Sequence, residues 1–253
     1  MVNLRTTISG ETHPGMTRSR NEDALAWNEP IHLAVLADGM GGHNAGDVAS
    51  DMAIEIIQDT LYERLPKLTR PNSGRQRIAL ILSVIQKANT QIFQAAQANT
   101  EKTGMGATLA LTLFHQDKVI VAHIGDSRVY RLRRNRLKSL THDHSLVNQL
   151  VAQGTMTKDE AKTSRYRNVI TRALGHKDSV EPEIRMLKTM PQDIYLLCSD
   201  GLYDMISERD IHKIVTRHSK NLRAAARHLI AKANENGGKD NVTAILVKAE
   251  FNS

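Results

Sequence analysis

The sequence predicts an α+β fold, and three observations predict it. Apolar, β-branched runs of strand length arrive in blocks rather than alternating one by one with helices. Short connections at His115-Gln116-Asp117 and around Arg134-Asn135 join neighbouring runs, as antiparallel hairpins do and crossovers of a doubly wound parallel sheet do not. Apolar residues at helical spacing fill the intervals between the blocks.

The elements follow in order. Residues 31–37 read as the first strand. Val48, Met52 and Ile56 then recur at helical spacing, as do Val84, Ile85, Ala88 and Ile92. Between these helices residues 66–77 contain two prolines, a glycine and a serine, and read as a surface connection. Strands are expected over 107–114, 118–124 and 127–132. A polar, weakly periodic stretch, 154–167, reads as a mobile excursion outside the core. Residues 194–198 form the next strand, Leu222, Ala225, Ala226, Leu229 and Ile230 mark a late helix, and 242–247 the last strand. No internal repeat is visible.

A chain of 253 residues with 40% hydrophobic and 24% charged residues suits one globular core. The lone Cys198 has no internal disulfide partner, which fits a reducing compartment and a cytoplasmic location. Residues 1–20 hold no apolar run of seven, and the longest apolar runs elsewhere are strand-length, so no membrane insertion is expected. The net charge is +7, and Arg131, Arg133, Arg134, Arg136 and Lys138 crowd one hairpin. Such a run steers phosphorylated substrates or is simply solvated. With aromatics at 4% and no recognisable module, nucleic acid is not the expected partner.

Chemistry concentrates where apolar strands meet aspartate beside glycine: Asp38-Gly39, Gly125-Asp126 and Asp200-Gly201, with Asp240 following Gly237-Gly238-Lys239. Each alone is an ordinary turn signal. Together, at the ends of strands that belong in a core, they describe converging carboxylates, an all-oxygen cage of the kind Mg²⁺ or Mn²⁺ prefers.

Five ordered strings carry a resemblance: Arg18-Ser19-Arg20-Asn21-Glu22-Asp23, Asp38-Gly39-Met40-Gly41-Gly42-His43, Gly125-Asp126-Ser127-Arg128, Ser199-Asp200-Gly201 and Asp240-Asn241. Over nearly the whole chain the sequence resembles bacterial PP2C-like metal-dependent protein serine/threonine phosphatases. The resemblance implies two packed antiparallel β-sheets flanked by helix pairs, one domain over 5–250, and a small flap at about 144–168 beside the active site. It implies two Mn²⁺ or Mg²⁺ ions, and in bacterial members a third. Asp38 would bridge the two metals, Asp200 and Asp240 would complete the first shell, and Gly39 would offer its carbonyl to the second metal. Glu22 would act on that second metal largely through water, Asp126 matches the third-metal position, and Arg18 matches the phosphate-binding arginine. Asp23 is expected to support a ligand rather than be one.

The same resemblance implies hydrolysis of phosphoserine and phosphothreonine in proteins by direct attack of activated water, opposing a bacterial serine/threonine kinase. Thr12-His13-Pro14-Gly15-Met16 is similar to members that accompany type VI secretion. Where many eukaryotic members carry His after the first Asp-Gly as a general acid, this chain has Met40, so that role is unfilled and His43 is not assigned to it. His13, His123, His142 and His144 show no metal-site spacing. A cysteine phosphatase is disfavoured because position six after Cys198 is Asp204 rather than arginine. No P-loop or kinase catalytic string is present, nor the Asp-x-His and Gly-Asn-His of calcineurin-like enzymes. The remaining alternative is a PP2C-like domain that binds phosphoproteins without turning them over; retention of Arg18, Asp38, Asp126, Asp200 and Asp240 argues against it.

Overall fold

The computed structural model describes residues 3–41, 45–68 and 74–252. His43 with its neighbour Gly42, and residues 69–73 of the expected connection, lie outside the described residues. In chain order the strands are β1 (Asn3–His13), β2 (Asp23–Asn28), β3 (Leu33–Met40), β4 (Gly106–Ala107), β5 (Leu109–His115), β6 (Lys118–Ile124), β7 (Arg128–Arg133), β8 (Arg136–Ser139), β9 (Glu183–Lys188), β10 (Ile194–Cys198) and β11 (Val242–Asn252). The α-helices are α1 (Gly46–Arg64), α2 (Gly74–Ala98), α3 (Leu146–Ala152), α4 (Lys158–Thr163), α5 (Asp200–Tyr203), α6 (Glu208–Arg217) and α7 (Leu222–Glu235).

One sheet runs β1-β11-β10-β7-β8 and the other β2-β3-β5-β6-β9, with β4 attached to β3. Every pairing is antiparallel. Period-2 alternation along the inner strands separates three cores. On β3, Leu33, Val35 and Ala37 face α1 and α2, while Ala34 and Leu36 face the other sheet. On β10, Ile194, Leu196 and Cys198 join the core under α6 and α7, while Tyr195 and Leu197 face inward. Phe114 of β5 meets Tyr195 of β10 edge to face, centroids 5.0 Å apart, across the join between the sheets. The expected layering, helices on sheet on sheet on helices, is therefore the observed one.

Interior strands are buried on both faces, so they read as continuous apolar runs. β5 and β10 are buried throughout apart from His115. The strands that the apolar signal does not reveal are β1, β2, β8 and β9, and these are the four sheet edges. An edge strand carries polar residues and has little to bury, as the exposed pattern of β9 shows. Positive φ at Gln116, and at Arg134 and Asn135, makes the two tight hairpins read from the sequence. Among the described residues no helix is long and apolar enough to cross a membrane.

Candidate functional site

Both sheets deliver acidic residues to the same end of the sandwich. Asp23 opens β2 and lies opposite Asp38 on β3. Asp126 sits in the turn joining β6 to β7, Asp200 follows β10 at the start of α5, and Asp240 lies two residues before β11 begins. The Asp38 backbone N–H donates to Thr108 Oγ1 at 3.0 Å, and Thr108 Oγ1 in turn meets Ser127 Oγ at 2.7 Å. Gly39 admits no substitute: a Cβ there would stand 2.1 Å from the Gly46 carbonyl oxygen, so the start of α1 packs directly on the end of β3. Gly201 is similar, with the Asn241 carbonyl oxygen 2.0 Å from where a Cβ would lie.

The electrostatics of this cluster are unbalanced. Burial pushes the Asp38 carboxyl well above the usual carboxylate range, and Asp23, Asp200, Asp126 and Asp240 push it further. Asp200 is raised well above its ordinary value by burial, then by Asp126, Asp240, Asp204 and Asp23. Burial, followed by Asp143, raises Asp126 to about 6. Glu22 is raised by burial and by Asp47. Such like-charge crowding is costly unless a cation enters. The donor set is all oxygen, and the strongest influences on Asp38 and Asp200 include no protein cation. The residues present thus fit oxygen-seeking divalent ions.

Arg18 stands at the rim, donating from Nη2 to Asp240 Oδ2 at 2.9 Å. Arg20 turns instead toward Asp47, 3.9 Å away. Asp23 lies behind Asp38: its Oδ2 accepts from Ser199 Oγ at 2.8 Å and from Thr243 Oγ1 at 2.6 Å. Burial raises Asp23 to about 6 against the opposing pull of those two hydroxyls. Asn241 ties the loops together, accepting from the Glu22 N–H and donating to the Pro14 and Arg20 carbonyls.

Thr108, Thr243 and Asp47 were not singled out from the sequence, and no short string marks them. Ser127, Arg128, Ser199 and Asn241 do lie inside the quoted strings, beside the acids they support. Arg128 is the most engaged of them. Its Nε and Nη2 donate to Asp143 at 3.0 and 2.7 Å, and its guanidinium lies 3.6 Å from the centroid of the Tyr203 ring. The Tyr203 hydroxyl donates to the Asp126 carbonyl at 3.1 Å.

Beyond the carboxylates opens a cleft of about 680 Å³. Its far wall is the excursion carrying α3 and α4, held at its base by the Ser145–Ile170 bridge and by backbone bonds from Leu146 to Val169 and from Thr171 to His144. Near that base His123, His144 and Glu183 each bring one potential ligand atom within 4.8 Å of the others. The two imidazoles are stacked, with centroids 4.6 Å apart and planes 24° from parallel. Lone pairs lie in the ring planes, so stacked rings direct them side by side rather than at one point. The Gly125 N–H also donates to His144 Nδ1, and Arg185 pairs with Glu183. These groups pack and anchor; they do not form a second metal cage.

A sequence model described as protein phosphatase 2C matches residues 13–236. The chain is 38% identical to the serine/threonine phosphatase stp of Listeria welshimeri over 242 residues, 94% of this chain and 93% of that one. It resembles the crystal structure of the Mycobacterium tuberculosis serine/threonine phosphatase PstP/Ppp with a TM-score of 0.85 at 33% identity, covering 99% of this chain and 100% of the other. The catalytic domain of the phosphatase PstP in complex with 2 manganese ions is also similar, with a TM-score of 0.82 at 33% identity over 98% of this chain and 100% of that one.

Proposed function

The chain belongs to the protein phosphatase 2C family, and from that membership we propose how its own residues perform the family's chemistry. It is a metal-dependent protein serine/threonine phosphatase. Asp38, Asp200 and Asp240, with the Gly39 carbonyl and Glu22 acting through water, would hold two Mn²⁺ or Mg²⁺ ions, Asp38 being the ligand they share, Asp200 and Asp240 serving one ion and Gly39 and Glu22 the other. Asp126, in the turn joining β6 to β7, would take a third ion. The single observation supporting these assignments is the crowding of buried carboxylates around Asp38, with no protein cation among the strongest influences on Asp38 or Asp200. Bound divalent ions supply Lewis acidity, a lowered pKa for coordinated water, and neutralisation of this charge.

The remaining work falls to side chains of the protein. Arg18, exposed at the rim, presents a planar fork to the phosphoryl oxygens, and its contact with Asp240 keeps it aimed there. Neither of the adjacent candidates serves as nucleophile: Cys198 is buried, its thiol pushed up to about 12 chiefly by burial, and Ser199 Oγ is committed to Asp23. Attack by water on phosphorus is the route left open. Residues 5–250 act as one catalytic domain with residues 144–168 as its flap, and phosphoserine and phosphothreonine proteins modified by a partner serine/threonine kinase are the substrates.

Phosphate release from a phosphothreonine peptide tests this reading, in EDTA, then with Mn²⁺ or Mg²⁺ restored. Asp38→Asn is expected to cut turnover by roughly 10²-fold or more while the circular dichroism spectrum stays native. Binding of the phosphopeptide without metal-dependent release would favour the binding-only alternative.

A further inference from the structure

The cleft is chemically two-ended. Asp126, Asp200, Asp204 and Asp240 line one end, whereas the flap side presents Lys158 and Lys162 from α4 and Arg167 from the segment after it. Helix α4 is only six residues long, yet it is fixed by a capping box in which Thr157 and Glu160 satisfy each other's backbone N–H groups. Lys158 and Lys162 stand four residues apart on it and so share a face, with Ala161 beside them lining the same wall. Lys162 is paired with Asp159. Lys158 and Arg167 are exposed, and among the described residues no carboxylate forms an ion pair with either. Arg167 is close enough to the acidic end to draw the Asp204 carboxyl down against the burial that raises it. Val147 and Val151 of α3 complete the wall with an apolar strip.

Cations left without partners in a cleft, beside a strip that an extended backbone can lie along, match an anionic ligand. The acidic end does not already neutralise them in pairs, and the scissile phosphate is assigned to Arg18, which pairs with Asp240. We infer that Lys158 and Arg167 form a second anion subsite, which selects phosphopeptides carrying another anionic side chain near the phosphorylated residue. The inference rests on the phosphatase reading and adds to it a substrate class. The recognised chemistry is an anion, either a carboxylate or a second phosphate.

Steady-state kinetics with Mn²⁺ on three phosphothreonine peptides of equal length decide it: one flanked by glutamines, one by glutamates, one carrying a second phosphothreonine. The glutamate peptide is expected to show kcat/KM about fivefold above the glutamine peptide, through KM, with the gain shrinking as salt is raised. A gain confined to the doubly phosphorylated peptide assigns the subsite to phosphate; a gain with both assigns it to any anion. In K158Q/R167Q the ratio falls to about one, in K158E/R167E it inverts, and in K158R/R167K it persists. A flap that had merely lost its shape would slow every peptide alike and leave the ratio unmoved. Equal KM for all three peptides in the wild type overturns the inference while leaving the phosphatase reading standing. No turnover of any peptide sinks both.

Discussion

Arg18 reaches the acidic cluster from its rim, and its hold on Asp240 is a single hydrogen bond in solvent. Its replacement by alanine removes charge-assisted bonds to the phosphoryl group, each worth about 1.5–3 kcal/mol, so kcat/KM is expected to fall roughly ten- to hundredfold. Unchanged kcat and KM in R18A would remove it from the site. Thr243 is the opposite case, wholly buried, with a hydroxyl donated to Asp23. Thr243→Val leaves a buried carboxylate short of a donor and is expected to cost about 1–3 kcal/mol in urea denaturation. The difference explains what was legible. Arg18, Asp38, Asp126, Asp200 and Asp240 stand in compact strings whose spacing is visible in the chain. Thr108, between β4 and β5, and Thr243, second in β11, support Asp38 and Asp23 from positions where a threonine reads only as a β-former.

The same contrast holds for whole elements. Strands buried on two faces were legible because burial leaves an apolar run, while the four edge strands, with only one face to bury or with polar residues along them, were hidden. The excursion carrying α3 and α4 is fastened at its base by the Arg128–Asp143 pair, whose side chains are 26% and 14% exposed. Arg128→Met strands Asp143 without its partner, and a loss of about 3 kcal/mol is expected, most of it recovered in R128M/D143N. His144, on the same base segment, is lowered from 6.5 to about 4 by burial, then by His123 and Arg172. The unfolded chain therefore binds a proton that the folded one refuses. Stability from this group is complete above pH 6.5 and lost as the pH falls toward 4. In metal-free protein, the stability difference between wild type and H144N should shrink or reverse across that interval. A difference independent of pH would show that His144 does not titrate this way.

Across the whole molecule, folding assembles a negative pocket before any ion neutralises it, so Mn²⁺ should stabilise the native state by mass action. At a free ion concentration about 100 times Kd the gain is about 2.7 kcal/mol, or a rise in Tm of roughly 5–10 °C for a chain of this size. Differential scanning calorimetry should find that rise in the wild type and little of it in D38N; equal rises would place the stabilising ion elsewhere. The layered architecture follows from alternation within strands, but the assembly of its pocket depends on pairings no local pattern announces. Strand β11 lies between β1 and β10, with Asn3 opposite Asn252 and His13 opposite Val242. A nascent chain emerging from the ribosome thus holds Asp23 and Asp38 early, yet cannot close the five-stranded sheet or place Asp240 until the β11 segment has been synthesised. Maturation of the catalyst waits on synthesis of β11, and a chain stopped short of that strand is inert.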